Sequence, residues 1–125
     1  MEEIKYKTVL IVDDDGRNIF ALRSYLKTLE MKTITAGNGE QALSMLHSGV
    51  KPDLIILDMM MPVMGGAELI AAMQADPTLA TIPVILMSAI AREEHLEIHK
   101  VAAILRKPFG MERLLEVLET VIGGA

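Results

Sequence analysis

Short apolar runs alternate with longer stretches of helical period along the whole chain. The runs are VLIV (Val9 to Val12), the weaker KTIT (Lys32 to Thr35), LIIL (Leu54 to Leu57), VILM (Val84 to Met87) and AAIL (Ala102 to Leu105). Four of the five are continuous rather than alternating, the pattern of strands buried on both faces of a parallel sheet. Between them, Ile19, Leu22, Leu26 and Leu29 recur at helical spacing, as do Met111, Leu114, Leu115, Leu118, Val121 and Ile122, each set forming one apolar stripe. Glycines and prolines fall between the runs: Gly16, Gly37 with Gly39, Gly49 with Pro52, Gly65 with Gly66, and Pro77 with Pro83. Strand and helix therefore alternate from end to end, which predicts a doubly wound α/β domain.

A length of 125 residues fits one domain with one real core. The expectation is a single unit over residues 1–125, with no output domain after the last helix. The chain has no cysteine, so disulfides, thiolate metal sites and a catalytic thiol are excluded, in keeping with a reducing compartment. The opening MEEIKYK has no basic segment followed by an apolar stretch, and no apolar run reaches the roughly 20 residues that span a bilayer. These features point to the cytoplasm and away from a membrane. A net charge of −5 argues against nucleic acid, whose binding needs clustered cations.

In open α/β sheets the functional crevice lies beyond the carboxyl ends of the strands. The residues that follow the runs are Asp13 and Asp14 after the first, Asp58 after the third, Ser88 after the fourth, and Arg106 with Lys107 after the fifth. The second run ends at Ala36 and Gly37, which suits a less buried edge strand that never reaches the site. Three converging carboxylates need more positive charge than one lysine provides. A hard, oxygen-loving cation such as Mg²⁺ supplies it. A carboxylate can also act as a nucleophile toward phosphorus. Asp58 is the candidate, because it stands alone at a central strand end while Asp13 and Asp14 form the pair a metal needs. Lys107 and Ser88 then offer a point charge and a hydroxyl to phosphoryl oxygens.

Other clusters carry less. The aspartates of DDD do not alternate as an EF-hand requires, and HLEIH (His95 to His99) is not a His-Glu-x-x-His zinc motif. The MMMPVM run reads as loop and pocket wall rather than as a soft-metal site. GNG and MGG lack phosphate-loop spacing and read as turns, with Gly39 near the start of the second helix.

With those residues in hand, the chain resembles the receiver domain of two-component response regulators. VDDD, DMMMPVMGG, MSA and KPF carry the likeness, which extends from Thr8 to Ile122. The resemblance implies a flavodoxin-like (βα)5 fold with strand order 2-1-3-4-5. It implies that Asp58 accepts a phosphoryl group from a histidine kinase or a histidine phosphotransfer protein, and that Asp13, Asp14, Asp58 and the backbone carbonyl of Met60 hold Mg²⁺. Ser88 and Lys107 would contact the phosphoryl group, the Lys107–Pro108 bond would be cis, and the face made by the fourth helix, fifth strand and fifth helix would shift to alter binding of a downstream protein. DDDGRNIFAL looks most like receivers attached to hybrid sensor kinases.

Departures from the family pattern are visible too. Ile104 stands where a reorienting aromatic is common, Gly65 where the motif usually has Asp or Asn, and Lys100 where glycine is common. The stretch between Ser88 and Lys107 is also shorter than usual. Ala91 to Lys100, with only Leu96 and Ile98 as large apolar groups, is expected to dock weakly and to be the mobile element. Two other functions compete with a phosphorylated switch that catalyses only its own phosphorylation and dephosphorylation: a phosphorylation-independent interaction module, and a small phosphatase working through an aspartyl phosphate.

Overall fold

A computed structural model describes residues 4–89 and 101–122. The expectations for Ala91 to Lys100, including His95, His99 and the shortened fourth helix, lie outside the described residues. The elements are β1 (Thr8–Val12), α1 (Gly16–Thr28), β2 (Lys32–Ala36), α2 (Gly39–His47), β3 (Leu54–Asp58), α3 (Gly66–Gln74), β4 (Val84–Ser88), β5 (Ala103–Arg106) and α4 (Met111–Ile122). All five strands pair in parallel, in the order β2-β1-β3-β4-β5. This is the receiver, flavodoxin-like architecture.

Side chains on a strand alternate between its two faces, so each continuous apolar run feeds two cores. Val9 and Ile11 pack with Leu22 and Leu26 of α1 and Leu114 and Leu118 of α4. Leu10 and Val12 face the opposite way, onto Ala42 and Leu46 of α2 and Leu69 and Met73 of α3. Full burial of each such Leu or Ile is worth about 1.5–3 kcal/mol, and the strand order is what gives both faces something to bury against.

The two edges differ from the three central strands. β2 is half-buried, as its threonines lead one to expect. β5 is less enclosed than its continuous run predicts and starts one residue later, at Ala103, because it forms the other edge of the sheet. Met111, counted in the last helix's apolar stripe, is 39% exposed at the start of α4. Among the described residues no helix is long and apolar enough to cross a membrane.

The starts of the first three helices are satisfied locally. Asp15 caps α1 by accepting from the Arg17 N–H (2.9 Å), and Asn38 caps α2 by accepting from the Gln41 N–H (2.8 Å). Such side-chain oxygens meet donors that a helix leaves unpaired. Gly65, at the position before α3, has no side chain to do this, and Glu68 instead reaches back to accept from the Gly65 N–H (3.1 Å). That carboxylate, in the first turn of α3, sits where the helix dipole favours negative charge.

Candidate functional site

Parallel strands all end on one side, so the sheet order brings the ends of β1, β3 and β4 together. Asp58 is the last residue of β3 and Ser88 the last of β4; Asp13 follows the last residue of β1. All three are buried.

The three adjacent aspartates take three different jobs. The Asp13 N–H donates to the Ala36 carbonyl (3.1 Å), so the end of β2 does help build the site, through its backbone. Asp13 turns inward, its Oδ1 accepting from the Asp15 N–H (2.9 Å) and its Oδ2 from Asn18 Nδ2 (3.2 Å). Asp14 is exposed. Asp15 is the helix cap just described, and its carboxylate also pairs with Arg17 at 3.3 Å; that pairing holds the Asp15 carboxyl below its ordinary value. Asp15 thus serves the helix, and Asp13 and Asp14 are the members of the run whose carboxylates stand beside Asp58.

Carboxylate oxygens of Asp13, Asp14 and Asp58 lie within 4.8 Å of one another. Lys107, just beyond β5, places Nζ 2.9 Å from Asp58 Oδ1. Its own N–H donates to the Ser88 carbonyl (2.9 Å), which ties the lysine's backbone to the end of β4. The bond from Lys107 to Pro108 is cis. Burial, opposed by the Asp15 N–H bond and assisted by the nearby Asp58 charge, holds the Asp13 carboxyl above its ordinary value. Two unit charges about 4.8 Å apart repel by roughly 3.5 kcal/mol at an effective dielectric of about 20. A cluster of three carboxylates with one ammonium is therefore under charge strain, and its all-oxygen donor set fits a hard divalent cation such as Mg²⁺.

The loop after β3 is clamped on two sides. The Met59 N–H donates to the Met87 carbonyl, and the Met59 carbonyl accepts from the Gly66 N–H, both at 3.0 Å. A Cβ on Gly66 would stand 2.8 Å from the Asp58 carbonyl oxygen. On the other flank the Gly39 N–H donates to the Met64 carbonyl (2.9 Å), and a Cβ on Gly39 would stand 2.7 Å from that oxygen. Expected as turn residues, both glycines are instead points of close backbone approach that position the loop carrying Met59 and Met60. Within this loop Val63 adopts φ 71°, a left-handed conformation that strains a β-branched residue.

Asn18 is the side chain that sequence reasoning passed over. Its only signal was its place three residues after the aspartate run, on the first turn of a helix. Ile104, at the position of the usual aromatic, is half-buried against the core shared with α2 and α3. Met60 is 66% exposed.

Comparison with known proteins bears on this geometry. Residues 9–119 match the family model described as response regulator receiver domain. The chain is 31% identical over 122 residues to the polar-differentiation response regulator DivK of Brucella anthropi, covering 95% of this chain and 98% of that protein. It resembles the signal receiver domain of a signal transduction histidine kinase from Syntrophus aciditrophicus (30% identity, TM-score 0.83, 94% of this chain and 91% of that one). It also resembles the response regulator TrrA of Thermotoga maritima, solved in complex with Mg²⁺–BeF (28% identity, TM-score 0.82, 92% of this chain and 98% of that one). The acidic cluster is thus like the Mg²⁺ sites of receivers, and the kinship is with signalling proteins rather than conventional enzymes, which removes the phosphatase alternative. An acidic pocket at the ends of β1 and β3, closed by a lysine beyond β5, in a sheet of order 2-1-3-4-5 and with a family match across most of its length, means that this chain belongs to the response regulator receiver domain family of two-component signalling.

Proposed function

We propose that the chain is a phosphoacceptor switch in a two-component phosphorelay, with Asp58 as the acceptor. The observation that carries this reading is the pairing of a buried, strand-terminal Asp58 with Lys107 at 2.9 Å beside two further carboxylates. A carboxylate oxygen of Asp58 attacks the phosphorus of a phosphohistidine on a histidine kinase or histidine phosphotransfer protein. An O–P bond forms, the N–P bond breaks, and the imidazole nitrogen leaves with the electron pair and takes a proton from solvent.

The chain's own groups orient and balance this transfer. Lys107 exchanges its contact with Asp58 for the phosphoryl oxygens, and the Ser88 hydroxyl donates a hydrogen bond to one of them. Asp13, Asp14 and Asp58, with the Met60 backbone carbonyl, would hold Mg²⁺. When bound, the ion offsets the charge that accumulates on the phosphoryl oxygens. Asn18 acts through Asp13, fixing the direction of its carboxylate. Dephosphorylation by water uses the same groups, so the chain catalyses only its own phosphorylation and dephosphorylation.

The output is a change in protein binding at the face that includes β5 and α4. Without an aromatic at position 104, the change reaches this face through the backbone link between Ser88 and Lys107 and the packing of Ile104. The switch acts in the cytoplasm and on proteins rather than on nucleic acid or membrane.

Incubation with acetyl phosphate, with and without Mg²⁺, followed by intact-mass measurement, tests the reading. The expected result is a Mg²⁺-dependent phosphoryl adduct that Asp58→Asn abolishes. An adduct that survives in Asp58→Asn overturns the assignment of the acceptor. No adduct in the wild type, with Mg²⁺ still bound, would make the domain a phosphorylation-independent interaction module.

A further inference from the structure

The side of α1 that faces the sheet edge carries a second stripe, separate from the buried one. Phe20, Arg23, Ser24 and Lys27 recur at helical spacing and, with Met31 and Thr33, line a groove of about 500 Å³. Phe20 is 74% exposed, in a chain with only two phenylalanines. Neither Arg23 nor Lys27 has an ion-pair partner among the described residues. The nearby acid Glu30 is already held by Lys5 at 3.3 Å. The chain as a whole carries a net charge of −5, so this is a cationic strip with an aromatic at one end on an acidic protein.

The groove runs beside an open strand. Among the described residues β2 pairs only with β1. The Lys32 N–H donates to the Lys7 carbonyl (2.8 Å), and the Ala36 carbonyl accepts from the Asp13 N–H (3.1 Å). Ladder groups alternate from residue to residue, so Lys32, Ile34 and Ala36 serve β1 while Thr33 and Thr35 direct N–H and C=O to the free edge. Open edges with groups of this kind accept an added strand.

We propose that the free edge of β2 and the Phe20–Arg23–Lys27 flank of α1 together bind an extended acidic segment of a partner protein. The segment adds as a sixth strand against Thr33 and Thr35, sets carboxylates against Arg23 and Lys27, and lays an apolar side chain on Phe20. A second copy of this chain does not fit, because pairing β2 with β2 would bring the same cations face to face. The site lies on the β2 side of α1 and uses none of the residues around Asp58.

The test is an amide chemical-shift titration of the full chain with a capped peptide of alternating Glu and Val, and with the same peptide carrying Lys in place of Glu. The expected result is that the acidic peptide shifts Thr33, Thr35 and Phe20 to Lys27, and slows hydrogen exchange at Thr33 and Thr35. Arg23→Glu combined with Lys27→Glu should weaken binding by at least about tenfold. Phe20→Ala, at an exposed position where truncation leaves the core intact, should weaken it as well. Absent or scattered shifts, equal binding of the Lys peptide, or unchanged affinity in the charge-reversed variant would each overturn the proposal.

Discussion

Replacing Asp13 by Asn should stabilise the protein in the absence of divalent cations and remove most of its stabilisation by Mg²⁺. Asp13 is fully buried, and its carboxylate lies within 4.8 Å of those of Asp14 and Asp58. At that separation the repulsion from Asp58 alone is about 3.5 kcal/mol at an effective dielectric near 20. Two effects oppose the gain. Asp13 also feels Lys107, whose charge favours the ionised form. The bonds from the Asp15 N–H and Asn18 Nδ2 lose their charge assistance, worth about 1 kcal/mol. The side-chain amide introduced by Asp13→Asn keeps the oxygen that meets the Asp15 N–H, and Asn18 can turn its own amide to meet the new donor. The net expectation is a gain of roughly 1–2 kcal/mol, or about 3–8 °C in Tm for a domain of this size. Thermal unfolding of wild type and variant, in chelator and in millimolar Mg²⁺, provides the measurement. In chelator the variant should melt higher, and in Mg²⁺ the wild type should gain more than the variant. A variant that melts lower than wild type in chelator would refute the claim that this cluster is held together against its own charge.

Three further outcomes follow from neighbouring features. Gly66→Ala places a methyl 2.8 Å from the Asp58 carbonyl oxygen and 3.0 Å from the Met59 Cα, backbone atoms that cannot swing aside. It should cost about 1–3 kcal/mol in urea unfolding and shift the amides of Asp58 to Met60, whereas the stabilisation normal for Ala over Gly in a helix would show that the space exists. Asp15→Ala removes the α1 cap and should cost about 1 kcal/mol while leaving the Mg²⁺ response intact; loss of that response would put Asp15 among the metal ligands. The raised Asp13 pKa means that the folded, metal-free protein holds this proton more tightly than the unfolded chain, so stability falls as pH rises from the ordinary value of 3.8 through the raised one. The stability difference between Asp13→Asn and wild type should therefore widen with pH across that window and stay constant above it, and a pH-independent difference would contradict the assignment.

The chemistry-bearing positions were legible because local sequence rules place them. A continuous apolar run must be a strand with two buried faces, so the residue that ends it arrives at the rim of the sheet. Asp58, Ser88 and Lys107 are found there for that reason alone. The helix stripes were legible on the same ground, and Leu114 and Leu118 are buried as their spacing requires.

What local rules cannot carry is contact between distant segments. The 2.9 Å pairing of Lys107 with Asp58 joins residues 49 positions apart and exists only because β4 lies between β3 and β5. The fates of the three aspartates diverge because α1 begins at Gly16: the helix start claims Asp15 as its cap and turns Asn18 back onto Asp13, leaving Asp14 outside. Gly39 and Gly66 look like turn punctuation in a linear reading, yet each is needed where a helix start presses against the backbone of the loop after β3. The edge positions of β2 and β5 likewise decide exposure that composition misjudged for the fifth strand. Which residues reach the rim of the sheet follows from burial and periodicity, which act over a few neighbouring positions. Which of them meet depends on strand order and on where two backbones come within van der Waals distance, and neither is a local property of the chain.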